Sequence, residues 1–125
     1  MPAFSKQDDN VELKDLLKQI NTSPSTIEFS DVITCIDASY DFTPMAFRNG
    51  DLHNAAGENN GSCKIFAFAK KHGLDEQQTL DCFGDYFRQD VLRNPQGDNH
   101  QNIRQFMKTG WSGIVFEDDP LMINI

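Results

Sequence analysis

Gly61-Ser62-Cys63-Lys64-Ile65-Phe66-Ala67-Phe68-Ala69-Lys70-Lys71-His72-Gly73 is the stretch on which the fold turns. Ile65, Phe66, Phe68 and Ala69 put apolar side chains around most of a helix of about 63–72, so it has little surface to offer water and must be central. Ser62 is a residue type that caps such a helix. Gly73 suits the left-handed position that ends it.

Toward the N-terminus, Leu13, Leu16, Leu17 and Ile20 recur at i, i+3, i+4 and i+7, which predicts a helix of about 10–21. Ser23 before Pro24, or Ser25 with Glu28, can start a second helix of about 25–39, whose buried stripe is Phe29, Val32, Ile33 and Ile36. Pro44 breaks the helical period. Asn49-Gly50 then predicts a hairpin that sets Arg48 opposite Asp51 and Phe47 opposite Leu52. Toward the C-terminus, Asp75 with Gln78 forms a capping-box pattern for a fourth helix, buried through Leu80, Phe83, Gly84, Phe87 and Val91 and closed by Asn94-Pro95. Asp98 with Gln101 starts a fifth helix carrying Ile103, Phe106 and Met107, and Gly110 ends it. Residues 113–116 read as a strand able to pair with the hairpin. The expected fold is mainly α: about five helices with a small β hairpin and short strand in one compact domain, α+β once the β element is counted. Residues 1–10 are expected to be flexible, 11–116 to form the domain, and 117–125 to form an acidic, solvated tail.

A chain of 125 residues suits one domain. Lys plus Arg is 11 against 19 for Asp plus Glu, a net charge of −8 that speaks against nucleic acid and against an anionic membrane surface. Ile65 to Ala69, the longest apolar run, is far short of the ~20 residues that span a bilayer. Met1 to Glu12 carries Asp8, Asp9 and Glu12 against only Lys6, which does not fit a secretory signal. Cys35, Cys63 and Cys82 are odd in number and lack ligand spacing, so a reducing compartment is expected and neither a metal nor a cofactor is.

Polar residues gather in two places. The first supplies Asn49, His53, Asn54, Glu58, Asn59, Asn60, Ser62 and Cys63; the second supplies His100, Asn102, Arg104 and Trp111. The two segments are expected to adjoin and form a concave polar site. Cys63, in the first turn of a helix where backbone N–H groups favour a thiolate, could serve as nucleophile with His100 as base. The competing reading packs Cys63 as a small hydrophobe behind a Ser62 cap. Arg48 and Arg104 could hold a carboxylate or phosphate, or pair with this chain's own acids. Trp111 could be a ligand platform or a core anchor. His72, at a helix C-terminus, reads as structural.

Several ordered motifs point to one family. Tyr40-Asp41-Phe42-Thr43-Pro44, Ala46-Phe47-Arg48-Asn49-Gly50 and the run Asn54-Ala55-Ala56-Gly57-Glu58-Asn59-Asn60-Gly61-Ser62-Cys63-Lys64 resemble the HopJ type III effector family. Thr79-Leu80-Asp81-Cys82-Phe83-Gly84-Asp85-Tyr86, His100-Gln101-Asn102-Ile103-Arg104-Gln105-Phe106-Met107 and Thr109-Gly110-Trp111 resemble its downstream pattern. The resemblance implies a bacterial protein delivered into host cells, and it carries no agreed reaction or catalytic residues. Three functions follow: an effector that binds a host or bacterial protein or a small ligand, a resident of the bacterial cytoplasm that is not secreted, or a thiol-dependent hydrolase using Cys63 and His100. The early acidic residues favour cytoplasmic residence.

Overall fold

A computed structural model describes the backbone of residues 5–123 and the side chains of residues 13–123. Helix α1 spans Ser5–Thr22, α2 Phe29–Ser39, α3 Asn60–Lys71, α4 Glu76–Asp81 and α5 Gln101–Thr109. Strands β1 (Tyr40–Phe42), β2 (Phe47–Asn49), β3 (Leu52–Asn54), β4 (Ile114–Phe116) and β5 (Leu121–Ile123) form two antiparallel sheets, ordered β1-β5 and β3-β2-β4. The architecture is α+β with most residues in helices, as the periodicity predicts. None of the described helices is long and apolar enough to cross a membrane.

Helix α3 occupies the centre, and every residue from Ile65 to Ala69 is buried. Phe66 is the hub. Its ring centroid lies 6.1 Å from Phe47, 5.5 Å from Phe83 and 5.0 Å from Phe106, so one side chain joins β2, the segment after α4, and α5. Leu16 and Ile20 of α1 and Val32 and Ile36 of α2 complete the core from the other end, on the stripes read from the sequence.

Seven local features differ from the sequence expectation. Helix α1 begins at Ser5, ahead of residue 10; of the segment expected to be flexible, residues 1–4 lie outside the described residues. Helix α2 begins only at Phe29, because Pro24–Thr26 form a separate 3-10 turn and neither serine caps the helix. The hairpin turn lies one residue later, which moves each cross-strand partner by two: Asn49 faces Leu52, Arg48 faces His53 and Phe47 faces Asn54. The turn is therefore Gly50-Asp51. Gly50 alone of the pair has positive φ, +57°, and it packs where a Cβ would meet the side chains of Gln105 and Thr109.

Ser62 is not the cap of α3. Asn59 takes that place in a left-handed conformation, φ +53°, without a side-chain cap bond. The predicted fourth helix is interrupted. Its capping box forms, with Gln78 N donating to Asp75 Oδ1 at 2.7 Å and Asp75 N donating to Gln78 Oε1 at 3.0 Å, but α4 stops at Asp81 and a π-helical turn covers Tyr86–Val91. Gly84, at φ +60°, sits against the backbone of residues 27–29, which requires the break. The fifth helix starts at Gln101, with His100 before it at φ +52°.

The acidic stretch after residue 116 is not a simple solvated tail. Pro120 and Leu121 are buried, β5 pairs with β1, and Asp119 forms an ion pair with Lys71 at 2.5 Å. The apolar residues following the charge run supply this attachment. Strand β4 joins β2 with Val115 opposite Arg48, as the reading of 113–116 anticipates.

Candidate functional site

A chain of asparagine amides links the two polar segments. Asn49 on β2 and Asn54 on β3 face Asn102 in the first turn of α5, and all three are buried. Asn49 Nδ2 donates to the Asn102 carbonyl at 2.8 Å and to Asn102 Oδ1 at 3.0 Å. Asn54 Nδ2 donates to Asn102 Oδ1 at 3.2 Å, and Asn102 Nδ2 donates back to Asn54 Oδ1 at 3.0 Å. Asn59 Nδ2 adds a second bond to Asn54 Oδ1 at 2.7 Å. Asn49 Oδ1 is buried without a hydrogen-bond partner among the described residues. Turning this amide over would set its oxygen against two oxygens of Asn102, so the orphan acceptor is the better of two arrangements. An unpartnered buried group of this kind costs about 1–3 kcal/mol.

This amide chain borders a cleft of about 570 Å³. Phe29, Leu52, Phe83 and Ile103 give it apolar lining. The β3–α3 connection contributes His53, Asn54, Asn59 and Ser62, and the start of α5 contributes His100, Gln101 and Asn102. The segments predicted to adjoin therefore do so. His100 is held from behind: its Nε2 lies 2.9 Å from Asp90 Oδ2, and its ring centroid is 4.9 Å from that of Tyr86. Asp90 and Tyr86 both belong to the π-helical turn, an irregularity that recurs at functional sites.

Arg104 serves this arrangement from outside the cleft. Its guanidinium donates to the carbonyls of Asn94 at 2.8 Å and Asn99 at 2.6 Å and to Asn99 Oδ1 at 2.7 Å, which fixes the loop leading into His100. The anion-holding role considered for Arg104 is thus replaced by bracing. Arg48 is exposed on β2 and lines a separate recess of about 480 Å³ with Glu58 and Glu117. Glu58 closes its own turn by accepting from Ala55 N at 2.9 Å. Asn60 is an exposed first residue of α3. Trp111 is an anchor rather than a platform: it meets Phe106 edge-on and donates from Nε1 to the Leu74 carbonyl at 3.1 Å.

Cys63 lies apart from the cleft lining. The side chain is buried, with Sγ 3.8 Å from the Met45 carbonyl. Burial pushes its thiol up to about 11, against smaller lowering effects from that backbone bond and from Lys64. The expected thiolate at a helix N-terminus is thus overturned by desolvation. Its neighbour Ser62 lines the cleft instead. His72 bonds Tyr40 Oη at 2.6 Å, and burial, with Lys71 beside it, lowers its pKa. Among the described residues no group of three or more His, Cys, Asp or Glu is placed to hold a metal ion.

Sequence reasoning missed Asp90, Tyr86, Phe29, Phe83 and Gln101 at this site. Phe29 and Phe83 stood out only as members of apolar stripes. No local pattern marks Asp90 as a partner for His100 ten residues later, because the intervening turn is neither helical nor extended.

The fold defines a class: a one-domain α+β protein with a phenylalanine-centred helical core, two short antiparallel sheets and an asparagine-lined cleft. Within it, the chain belongs to the HopJ type III effector protein family, whose model matches residues 13–121. A solved structure, the crystal structure of the unknown function protein VPA0580, is 51% identical to this chain, covers 90% of it and 93% of its own length, and superposes with a TM-score of 0.88. No curated protein matches the chain.

Proposed function

We propose that this HopJ-family protein is an effector that acts by non-covalent binding, taking a group of a protein partner or a small ligand into the asparagine-lined cleft. It is made in the bacterial cytoplasm and handed to host cells by type III secretion, a reading supported by family membership. The observation that carries the binding role is the amide chain of buried Asn49, Asn102 and Asn54, extended by exposed Asn59, at the border of the cleft. Four amides packed together, one with an orphan oxygen, serve stability less well than apolar residues of similar size would. Such an expense is intelligible at a recognition site, where fixed polar groups select what enters. A thiol hydrolase finds no support, since Cys63 is buried and its thiol is held protonated.

A fragment survey by two-dimensional NMR on the 15N-labelled protein tests this. Hits are expected to move amide signals of residues 52–54, 59–62 and 100–103 together, in wild type and in Cys63→Ala alike. Fragments that settle elsewhere, or binding that vanishes with Cys63→Ala in a folded protein, would overturn the reading.

A further inference from the structure

Hydrogen-bond accounting around the cleft indicates what kind of ligand it takes. A side-chain amide offers two N–H donors and one oxygen with two acceptor sites. Asn54 Oδ1 accepts from both Asn59 and Asn102, and Asn102 Oδ1 accepts from both Asn49 and Asn54, so the oxygens of both buried cleft asparagines are fully used. Their nitrogens are not. Asn54, Asn59 and Asn102 each spend one N–H within the chain and keep one, and all three line the cleft. At the two buried asparagines the surplus is of donors, and exposed Asn59 keeps its oxygen as well as one N–H.

Charge agrees with this surplus. Although acidic residues outnumber basic ones by 19 to 11, none of the cleft's described lining residues is a carboxylate, and its two ionisable groups are His53 and His100. Asp90, the nearest acid in the network, is engaged by His100, and Glu58 is engaged by its own turn. Both α3 and α5 also begin here, with Asn59 and His100 as flanking residues that make no side-chain cap bond, which leaves partial positive charge on the same side. Phe29, Leu52, Phe83 and Ile103 provide apolar contact beside the donors.

Resting on the binding role proposed above, we infer that the cleft takes an anionic oxygen group, a carboxylate or a phosphate monoester, carried on an apolar body. The leftover amide N–H groups bond the anionic oxygens, and the apolar lining holds the body.

The test uses three probes of one shape, benzoate, phenyl phosphate and the neutral benzamide, titrated by NMR into the full chain at constant pH and ionic strength. At least one anion is expected to bind about tenfold tighter than benzamide, with shifts centred on residues 53–54, 59–62 and 100–102. The tighter of the two anions identifies the headgroup. Asn59→Asp, which exchanges the amide for a carboxylate in an exposed residue, should weaken anion binding by about tenfold or more. Asn59→Gly keeps the left-handed backbone and removes the donor, so weakening there as well separates donor loss from a disturbed fold. Benzamide binding as tightly as both anions, or unchanged anion binding in Asn59→Asp and Asn59→Gly, would overturn this inference while leaving a binding cleft. Failure of all three probes to enter the cleft would overturn it too, and the binding role falls only if the wider fragment survey also finds the cleft empty.

Discussion

Cys63 and Asn102 show what a residue's type reveals and what it hides. Asn49, Asn54, Asn59 and Asn102 stand out in the sequence because amides beside apolar helices need partners, and the structure supplies those partners to one another. Cys63 is conspicuous for an equally good reason, the first turn of a helix, yet position in a turn does not say which side faces the core. Only packing decides that, and it turns Cys63 inward and Ser62 toward the cleft. The thiol therefore has a testable pH signature. Its folded pKa of about 11 lies above the ordinary value of 9.0, so the unfolded chain loses this proton first as pH rises. The stability associated with the buried thiol is full below pH 9.0 and is lost as pH climbs toward about 11. Urea unfolding at several pH values should show wild type losing more stability across that window than Cys63→Ala does, and alkylation of Cys63 in the folded protein at neutral pH should be slow. Rapid alkylation of Cys63 alone at pH 7 would contradict the burial argument.

At the scale of elements, periodic stripes and caps are legible, whereas interruptions are not. The Asp75–Gln78 capping box is found as read, and Phe66 is buried as its helix demands. Gly84 reads as part of a continuous helical stripe because its spacing fits one. Its role depends on residues 27–29, far away in sequence, whose backbone occupies the space a side chain would need. The hairpin register slips for a related reason. Asn49 is drawn into the buried amide chain, so it ends β2 and leaves the turn to Gly50 and Asp51. Gly84→Ala would force an alanine into positive φ with its Cβ 2.7 Å from Phe29 N. It is expected to destabilise the protein by at least about 2 kcal/mol in denaturant unfolding. A change below about 0.5 kcal/mol would show that the break after α4 is not held by this contact.

For the whole molecule, one central helix organises two functions of the chain: its middle residues close the core, and its first turn borders the cleft with α5. Delivery is a separate property. If the protein is an effector, a fusion of residues 1–30 to a translocation reporter should reach host cells only from bacteria with a working type III apparatus. Retention of that fusion, together with retention of the full chain, would make it a cytoplasmic resident of the family. The anion-binding reading is tested most directly by a crystal structure of the protein grown with whichever of benzoate and phenyl phosphate binds tighter. The expected result is the anionic group within hydrogen-bond distance of the amide nitrogens of Asn54, Asn59 and Asn102, with the ring against Phe29 and Phe83. The anion bound instead at the exposed lysines, with the cleft unchanged, would contradict the account.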